Sequence, residues 1–228
     1  MKPQAEKIIA EEQAGFRAGR STAEHFKLRI LCEKYLQHQQ EISHVFTDFK
    51  KTFDKVWLAA LCATMKKYNI SANLIRVIKY LYDKATGAVL FNNSIGDWFR
   101  TTVGLRQGCV LSPTPFNIFL EKIMTDALEY HEGTVSIGGR TITNLHFADD
   151  IDGLAGEEEE LAKLVRHLDK VSTAHDMEIS AKRTKLMTNN TSGINAEIKV
   201  NGQKLETVTS FKYLGSVINE EGSKPYTL

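Results

Sequence analysis

The chain has 228 residues, 42% of them hydrophobic and 25% charged, an ordinary globular composition that excludes a disordered tail, a fibre or a disulfide scaffold. Lys plus Arg (29) nearly cancels Asp plus Glu (28), so no bulk cationic field is available and any grip on nucleic acid must come from local patches. Cys32, Cys62 and Cys109 show no CxxC spacing, which argues against a zinc site and fits a reducing, intracellular setting, nuclear or cytoplasmic.

In chain order, the start MKPQAEKIIAEEQAGF lacks the apolar stretch of a signal peptide, and no run approaches the roughly 20 residues that cross a bilayer, so no membrane partner is expected. The first element read is a strand over residues 42–46, running into Thr47 and Asp48. Trp57, Ala60, Leu61, Met65 and Tyr68 then recur at helical spacing from near Val56, as do Leu74, Ile75, Ile78, Leu81 and Tyr82 after Ser71, a plausible N-cap. Residues 86–102 read as a hairpin about Asn92, Asn93 and Ser94. A helix beginning near Pro113–Pro115 would bury Phe116, Phe119, Leu120, Ile123, Met124, Ala127 and Leu128.

Residues 134–154 give a strand, a Gly138-Gly139 turn, a second strand ending at Phe147, and a short strand after Asp149 and Asp150. Leu161, Leu164, Val165, Leu168 and Val171 mark a helix whose start, Glu157 to Glu160, reads as a solvated acidic turn. Residues 177–218 look like short strands with a type I′ signal at Asn201-Gly202. The order β-α-α-β-β-α-β-β-α-β-β-β-β is an α+β pattern in one unit.

Asp48 at a strand end and Asp149-Asp150 at a tight turn become a candidate cluster if their strands pair. Carboxylates held close repel unless a cation neutralises them, and Mg²⁺ prefers a few carboxylates plus water and phosphate oxygens. Two such ions suit nucleotidyl transfer. An isolated Asp-Asp in a turn is otherwise plain turn chemistry, and Asp54 reads as a helix N-cap rather than a ligand.

The motifs resemble those of non-LTR (LINE-type) retrotransposon reverse transcriptases. FADD at 147–150 matches their Phe/Tyr-Ala-Asp-Asp box, DFKKTFDKVW at 48–57 resembles the first carboxylate motif, and GLRQGCVLSP at 104–113 is similar to the Arg-Gln-Gly-x-x-x-Ser-Pro loop. QAGFRAGRST at 13–22 resembles the Gly-Phe-Arg-x-Gly-Arg-Ser segment, and FKYLG at 211–215 the primer-grip hairpin. Five ordered matches make coincidence improbable.

The resemblance implies an α+β right-hand polymerase palm, an antiparallel sheet backed by helices, with partial fingers and no thumb. Residues 1–47 and about 70–112 would be fingers-like; 48–69 and 113–218 would be palm, including the grip. It implies two Mg²⁺ ions, with Mn²⁺ as a substitute, on Asp48, Asp149, Asp150 and the Phe49 carbonyl. It also implies Phe53 as a ring excluding a 2′-hydroxyl, or else core packing; Gln107 and Gly108 against the nucleotide, or a mere glycine turn; and Arg17, Arg20, Lys212 and Tyr213 on nucleic acid. Solvated arginines and a sheet-packing Tyr213 are the alternatives.

Implied partners are an RNA template, a DNA primer, dNTPs and further domains of a parent polyprotein. A catalytically silent nucleic-acid-binding remnant is the rival reading; the palm of an RNA-dependent RNA polymerase is a third, disfavoured by Phe53. One departure stands out: DMEISAKRT at 176–184 replaces the family's Gly-x-x-Ile-Asn-x-x-Lys-Thr, putting Arg183 where a lysine could act as a proton donor. Lys182 or Lys185 would have to substitute.

Overall fold

The run Ser43–Thr47 (β1) is buried at all five positions, which marks a strand covered on both faces. The computed structural model describes residues 1–22, 26–190, 193–194 and 196–220. Before β1 come a single helical turn, α1 (Lys2–Ala5), and α2 (Phe26–Gln37). After it come α3 (Thr52–Lys55), α4 (Leu58–Lys67) and α5 (Ala72–Asp83). Two nested ribbons follow, with β2 (Thr86–Gly87) pairing β5 (Phe99–Arg100) around β3 (Leu90–Phe91) and β4 (Ser94–Ile95). The chain continues through α6 (Pro113–Leu128), β6 (Ser136–Ile137), β7 (Arg140–Thr141), β8 (Asn144–Phe147), β9 (Asp150–Ala155) and α7 (Glu158–Ala174). It ends in β10 (Lys185–Thr188), β11 (Lys199–Val200), β12 (Gln203–Lys204), β13 (Glu206–Thr207), β14 (Ser210–Tyr213) and β15 (Ser216–Asn219).

The main sheet has the order β13-β10-β1-β9-β8, antiparallel except for the parallel β10–β13 edge. Alternation along the strands sorts side chains to two cores. Val45, Ile151, Ala155 and Leu186 join the cluster containing α4, α6 and α7 residues. Phe46, Leu154 and Met187 join Leu28, Leu31, Cys32 and Tyr35 of α2 on the other face. Helix α6 carries the expected stripe but also buries Ile118, Asn117 and Glu121, so it runs through the interior with more than one face covered.

Several local expectations shift. The helix expected from near Val56 begins at Leu58 as α4, with exposed Trp57 at its N-cap position, and an unexpected short α3 precedes it, entered from Lys51 at φ +50° and closed by extended Val56. Asp54 therefore lies inside the first turn of α3 and caps nothing. Helix α2 was not read at all, although Leu28, Leu31, Cys32 and Tyr35 keep i, i+3, i+4, i+7 spacing; interleaved charges hide it. Leu81, expected on the buried stripe of α5, is exposed. The acidic start of α7 is not merely solvated, because Glu160 turns inward to accept the main-chain N–H groups of Thr134 and Gly156. Ser71 does cap α5, accepting the Leu74 N–H, and Asn201 and Gly202 both take positive φ as a type I′ turn requires. Strand β1, grouped by the sequence with residues 1–47, is the centre of the sheet.

On the α2 face a fully buried ion pair joins β1 to β9: His44 Nδ1 lies 3.0 Å from Asp152 Oδ2, with Cys32 Sγ 3.4 Å from His44 Nε2. Burial opposes charge on His44, but the Asp152 carboxylate and the Cys32 sulfur outweigh it and push the imidazole up to about 10. Burial raises the Asp152 carboxyl against the pull of His44, and removing either partner would leave the other buried without its counterpart. Asp152→Ala is expected to lower unfolding stability by about 3–5 kcal/mol in urea titrations. The double change His44→Phe with Asp152→Leu should lose clearly less; an equal loss would show that the pair is not ionic.

Candidate active site

The turn joining β8 to β9 has only Ala148 and Asp149 between the paired residues Phe147 and Asp150. Ala148 adopts φ +56°, a left-handed conformation that costs a non-glycine residue about 1–2 kcal/mol. A buried side chain holds it there. Gln13 Oε1 accepts the Ala148 N–H at 2.8 Å and the Gly15 N–H at 2.6 Å, while Gln13 Nε2 donates to the Ala148 carbonyl at 3.2 Å. Gly15 presses so close that a Cβ there would lie 2.2 Å from the Ala148 nitrogen, and Asn117 of α6 donates to the Gly15 carbonyl. The QAG segment is thus the clamp on the Asp149 turn, a role the sequence alone did not reveal.

Strand register brings the third acid alongside. Thr47 of β1 pairs with Ile151 of β9, so the next residue, Asp48, faces the start of β9 at Asp150. Asp48 and Asp150 line one open cavity of about 200 Å³ with Phe46, Thr47, Arg183, Phe211 and Tyr213. Asp149 is aimed by the buried Thr52 hydroxyl, which donates to its Oδ2 at 2.7 Å. Tyr213 Oη donates to the Asp150 and Leu145 carbonyls, bolting the 210–219 hairpin to the same turn. Phe211 stacks on Phe46 with centroids 4.3 Å apart.

The electrostatics are those of an under-neutralised anionic cluster. Burial first, then the charges of Asp149 and Asp48, pushes the Asp150 carboxyl up to about 6. Burial also raises Asp48, against the pull of the Arg183 guanidinium. Asp48 Oδ2 is buried against Arg183 Nε, which lies 2.5 Å away. Three carboxylates facing one guanidinium keep a net negative charge that suits a divalent cation. Among the described residues no three acidic, His or Cys side chains are grouped closely enough to enclose an ion by themselves, so main-chain, water or substrate oxygens would complete the shell.

A second cavity, of about 410 Å³, is lined by Phe53, Gln107 and Gly108 together with Phe16, Arg106, Cys109, Val110, Ser112 and Pro113. Phe53 is half-buried; its ring stacks on Phe116 at 4.5 Å and meets Phe16 edge-on. The 104–113 loop is stitched to this ring's own backbone: Leu105 N–H donates to the Phe53 carbonyl at 2.7 Å and Gly104 N–H to Val56 at 3.0 Å. Gly104, at φ +94°, leaves no room for a Cβ against Asp54. Phe53, Gln107 and Gly108 therefore line the same cavity.

The nucleic-acid candidates divide. The Arg17 side chain is 6% exposed, pairs with Glu6 and donates to the Ala10 and Gln13 carbonyls. Arg20 likewise pairs with Glu11 at 2.7 Å. Tyr213 is buried and its hydroxyl donates to main-chain carbonyls, so it helps to position the turn. Lys212, its neighbour on β14, is exposed. The Phe49 carbonyl, expected to face an ion, accepts from Arg183 Nη2 at 2.8 Å.

A sheet ending in clustered carboxylates, flanked by an aromatic-floored cavity and a grip-like hairpin, defines a polymerase palm. A profile of the reverse transcriptase (RNA-dependent DNA polymerase) family matches residues 1–218, and the chain belongs to that family. It is 26% identical over 186 residues to the retrovirus-related Pol polyprotein from type-1 retrotransposable element R2 of Nasonia vitripennis, covering 77% of this chain and 18% of that protein. It is 27% identical over 151 residues to the probable RNA-directed DNA polymerase from transposon X-element of Drosophila melanogaster, covering 65% of this chain and 15% of that protein. In fold it is similar to apo telomerase from Candida tropicalis (TM-score 0.67, 16% identity, covering 93% of this chain and 40% of that one). Telomerase from Candida albicans in complex with a fragment of telomeric RNA gives TM-score 0.69 at 12% identity, covering 97% of this chain and 36% of that one.

The raised Asp150 carboxyl has a testable sign. Its ionised form is disfavoured in the folded state, so wild-type stability falls as pH rises from the ordinary value of 3.8 through about 6. In EDTA, Asp150→Asn should match wild type in thermal melts at pH 4 or below and exceed it increasingly up to neutrality. A difference independent of pH would remove the like-charge explanation.

Proposed function

We propose that this chain is the palm-centred part of an RNA-directed DNA polymerase, extending a DNA primer on an RNA template with dNTPs. The observation that carries the reading is the meeting of Asp48, Asp149 and Asp150 at one sheet end beside the cavity of Phe53, Gln107 and Gly108. Asp48, Asp150 and Asp149 would hold two Mg²⁺ ions, with Mn²⁺ as a substitute. When bound, such a pair lowers the pKa of a primer 3′-hydroxyl and neutralises the departing pyrophosphate.

The protein's own groups set the geometry. Thr52 fixes the Asp149 rotamer, and the Gln13 clamp fixes the height of the turn against β1. The Phe53 ring, backed by Phe116, is rigid enough to refuse a 2′-hydroxyl by collision, which discriminates through repulsion rather than attraction. Gln107 offers donor and acceptor at the cavity edge, and Gly108, at φ +75°, lets backbone approach the nucleotide. Exposed Lys212 suits a primer phosphate. The chain spans less than a fifth of the relatives it matches, so further segments of a parent polyprotein would complete the grip on duplex, in the nucleus or cytoplasm.

The test is primer extension on an oligo-primed RNA template with Mg²⁺. Asp149→Ala should reduce dNTP incorporation by about 100-fold or more. Incorporation insensitive to that change, or absent from wild type under all template conditions, would favour a silent nucleic-acid-binding remnant. Phe53→Ala should weaken the preference for dNTPs over NTPs by about tenfold or more; unchanged preference would return the ring to core packing.

A further inference from the structure

Arg183 stands against the oxygens that the proposed metal site needs. Its Nε lies 2.5 Å from Asp48 Oδ2, and its Nη2 donates to the Phe49 carbonyl at 2.8 Å. One guanidinium therefore spans a carboxylate and an adjacent main-chain oxygen through two different nitrogens, a fixed planar geometry that a lysine ammonium does not reproduce. Arg183 also occupies the position where the family pattern has lysine.

The segment that carries it is fixed to β1. Ser180 N–H donates to the Asp48 carbonyl at 2.8 Å, the Asp48 N–H reaches the Thr184 hydroxyl at 3.3 Å, and Lys50 N–H donates to Glu178 at 2.8 Å. Within the turn, Arg183 and Thr184 N–H groups both donate to the Ser180 carbonyl. The Cα of Arg183 is thus held in place while its side chain stays 57% exposed. Among the described residues, these two polar contacts and the charge of Asp150 are what draw the guanidinium inward. A cation and this guanidinium cannot share the same face of Asp48 Oδ2 and the Phe49 carbonyl, since like charges would meet within a few ångströms.

We propose that Arg183 is a resident counter-cation of the Asp48 metal site: it neutralises Asp48 before the ion arrives and is displaced into solvent when the ion binds. This rests on the metal-site reading above. The exchange lowers apparent ion affinity by the strength of the pair that must break, and a partly exposed pair of this kind corresponds to a factor of about two to five.

The probe is Mn²⁺ alone, its binding followed by loss of the free-ion EPR signal in the purified chain without nucleic acid. Arg183→Gln should bind Mn²⁺ about two- to fivefold more tightly than wild type, and Arg183→Lys should fall between them. Unchanged or weaker binding by Arg183→Gln, with binding still abolished by Asp48→Asn, overturns the exchange alone. Binding that survives in Asp48→Asn overturns the metal-site reading and this inference with it. A second measurement needs no variant: the Arg183 Nε–H resonance of ¹⁵N-labelled wild type, assigned through bonds, should shift or broaden away at saturating Mg²⁺. A resonance unmoved at saturation overturns displacement.

Discussion

Carboxylates crowded at one end of a sheet repel one another, and the rest of this molecule is arranged so that they cannot move apart. The β1–β9 register sets Asp48 opposite Asp150, and a two-residue turn leaves Asp149 no freedom of position. The turn itself is strained at Ala148, whose N–H and carbonyl are both satisfied by Gln13 from a segment more than a hundred residues earlier. Satisfying both groups of a strained residue with one buried amide is what makes the strain tolerable. The same turn is fastened from the opposite side by Tyr213. Residues from both ends of the described chain thus converge on one corner, and its rigidity is a property of the whole fold.

Charge is managed differently on the two faces of the same strands. On the α2 side, His44 and Asp152 neutralise each other in full burial. At the exposed end, three acids face a single guanidinium that is only half-buried, and Asp150 is left with its carboxyl pushed up to about 6. The first arrangement is a permanent structural pair. The second is unfinished, with an open cavity and more carboxylates than the one guanidinium can balance. That contrast within one β9 strand, two residues apart, separates structural from chemical use of aspartate here.

Much of this was legible in the residues themselves. Long apolar periodicities gave α5, α6 and α7, and the turn chemistry of Asn201-Gly202 and Gly138-Gly139 gave their hairpins, because these signals are local. The convergence of Asp48 with the FADD turn was legible only through motif order, since strand pairing across a hundred residues leaves no trace in local spacing. Helix α2 escaped because charged residues interrupt its stripe. The arginines of the GFRAGR segment make a related point: a guanidinium looks the same in sequence whether it meets phosphate or, as Arg17 does here, a glutamate and two carbonyls. Gln13 and Thr52 carry no signature as positioning groups; only the fold shows what they hold.

The central claim is that Asp48, Asp149 and Asp150 share bound divalent ions. Diffraction from crystals grown with Mn²⁺, recorded at the manganese absorption edge, tests it most directly. The account predicts an anomalous peak about 2 Å from an Asp48 oxygen and from an oxygen of the 149–150 pair, with the Arg183 side chain turned away. A peak coordinated elsewhere, or none at saturating Mn²⁺ with Arg183 still seated on Asp48, would contradict it.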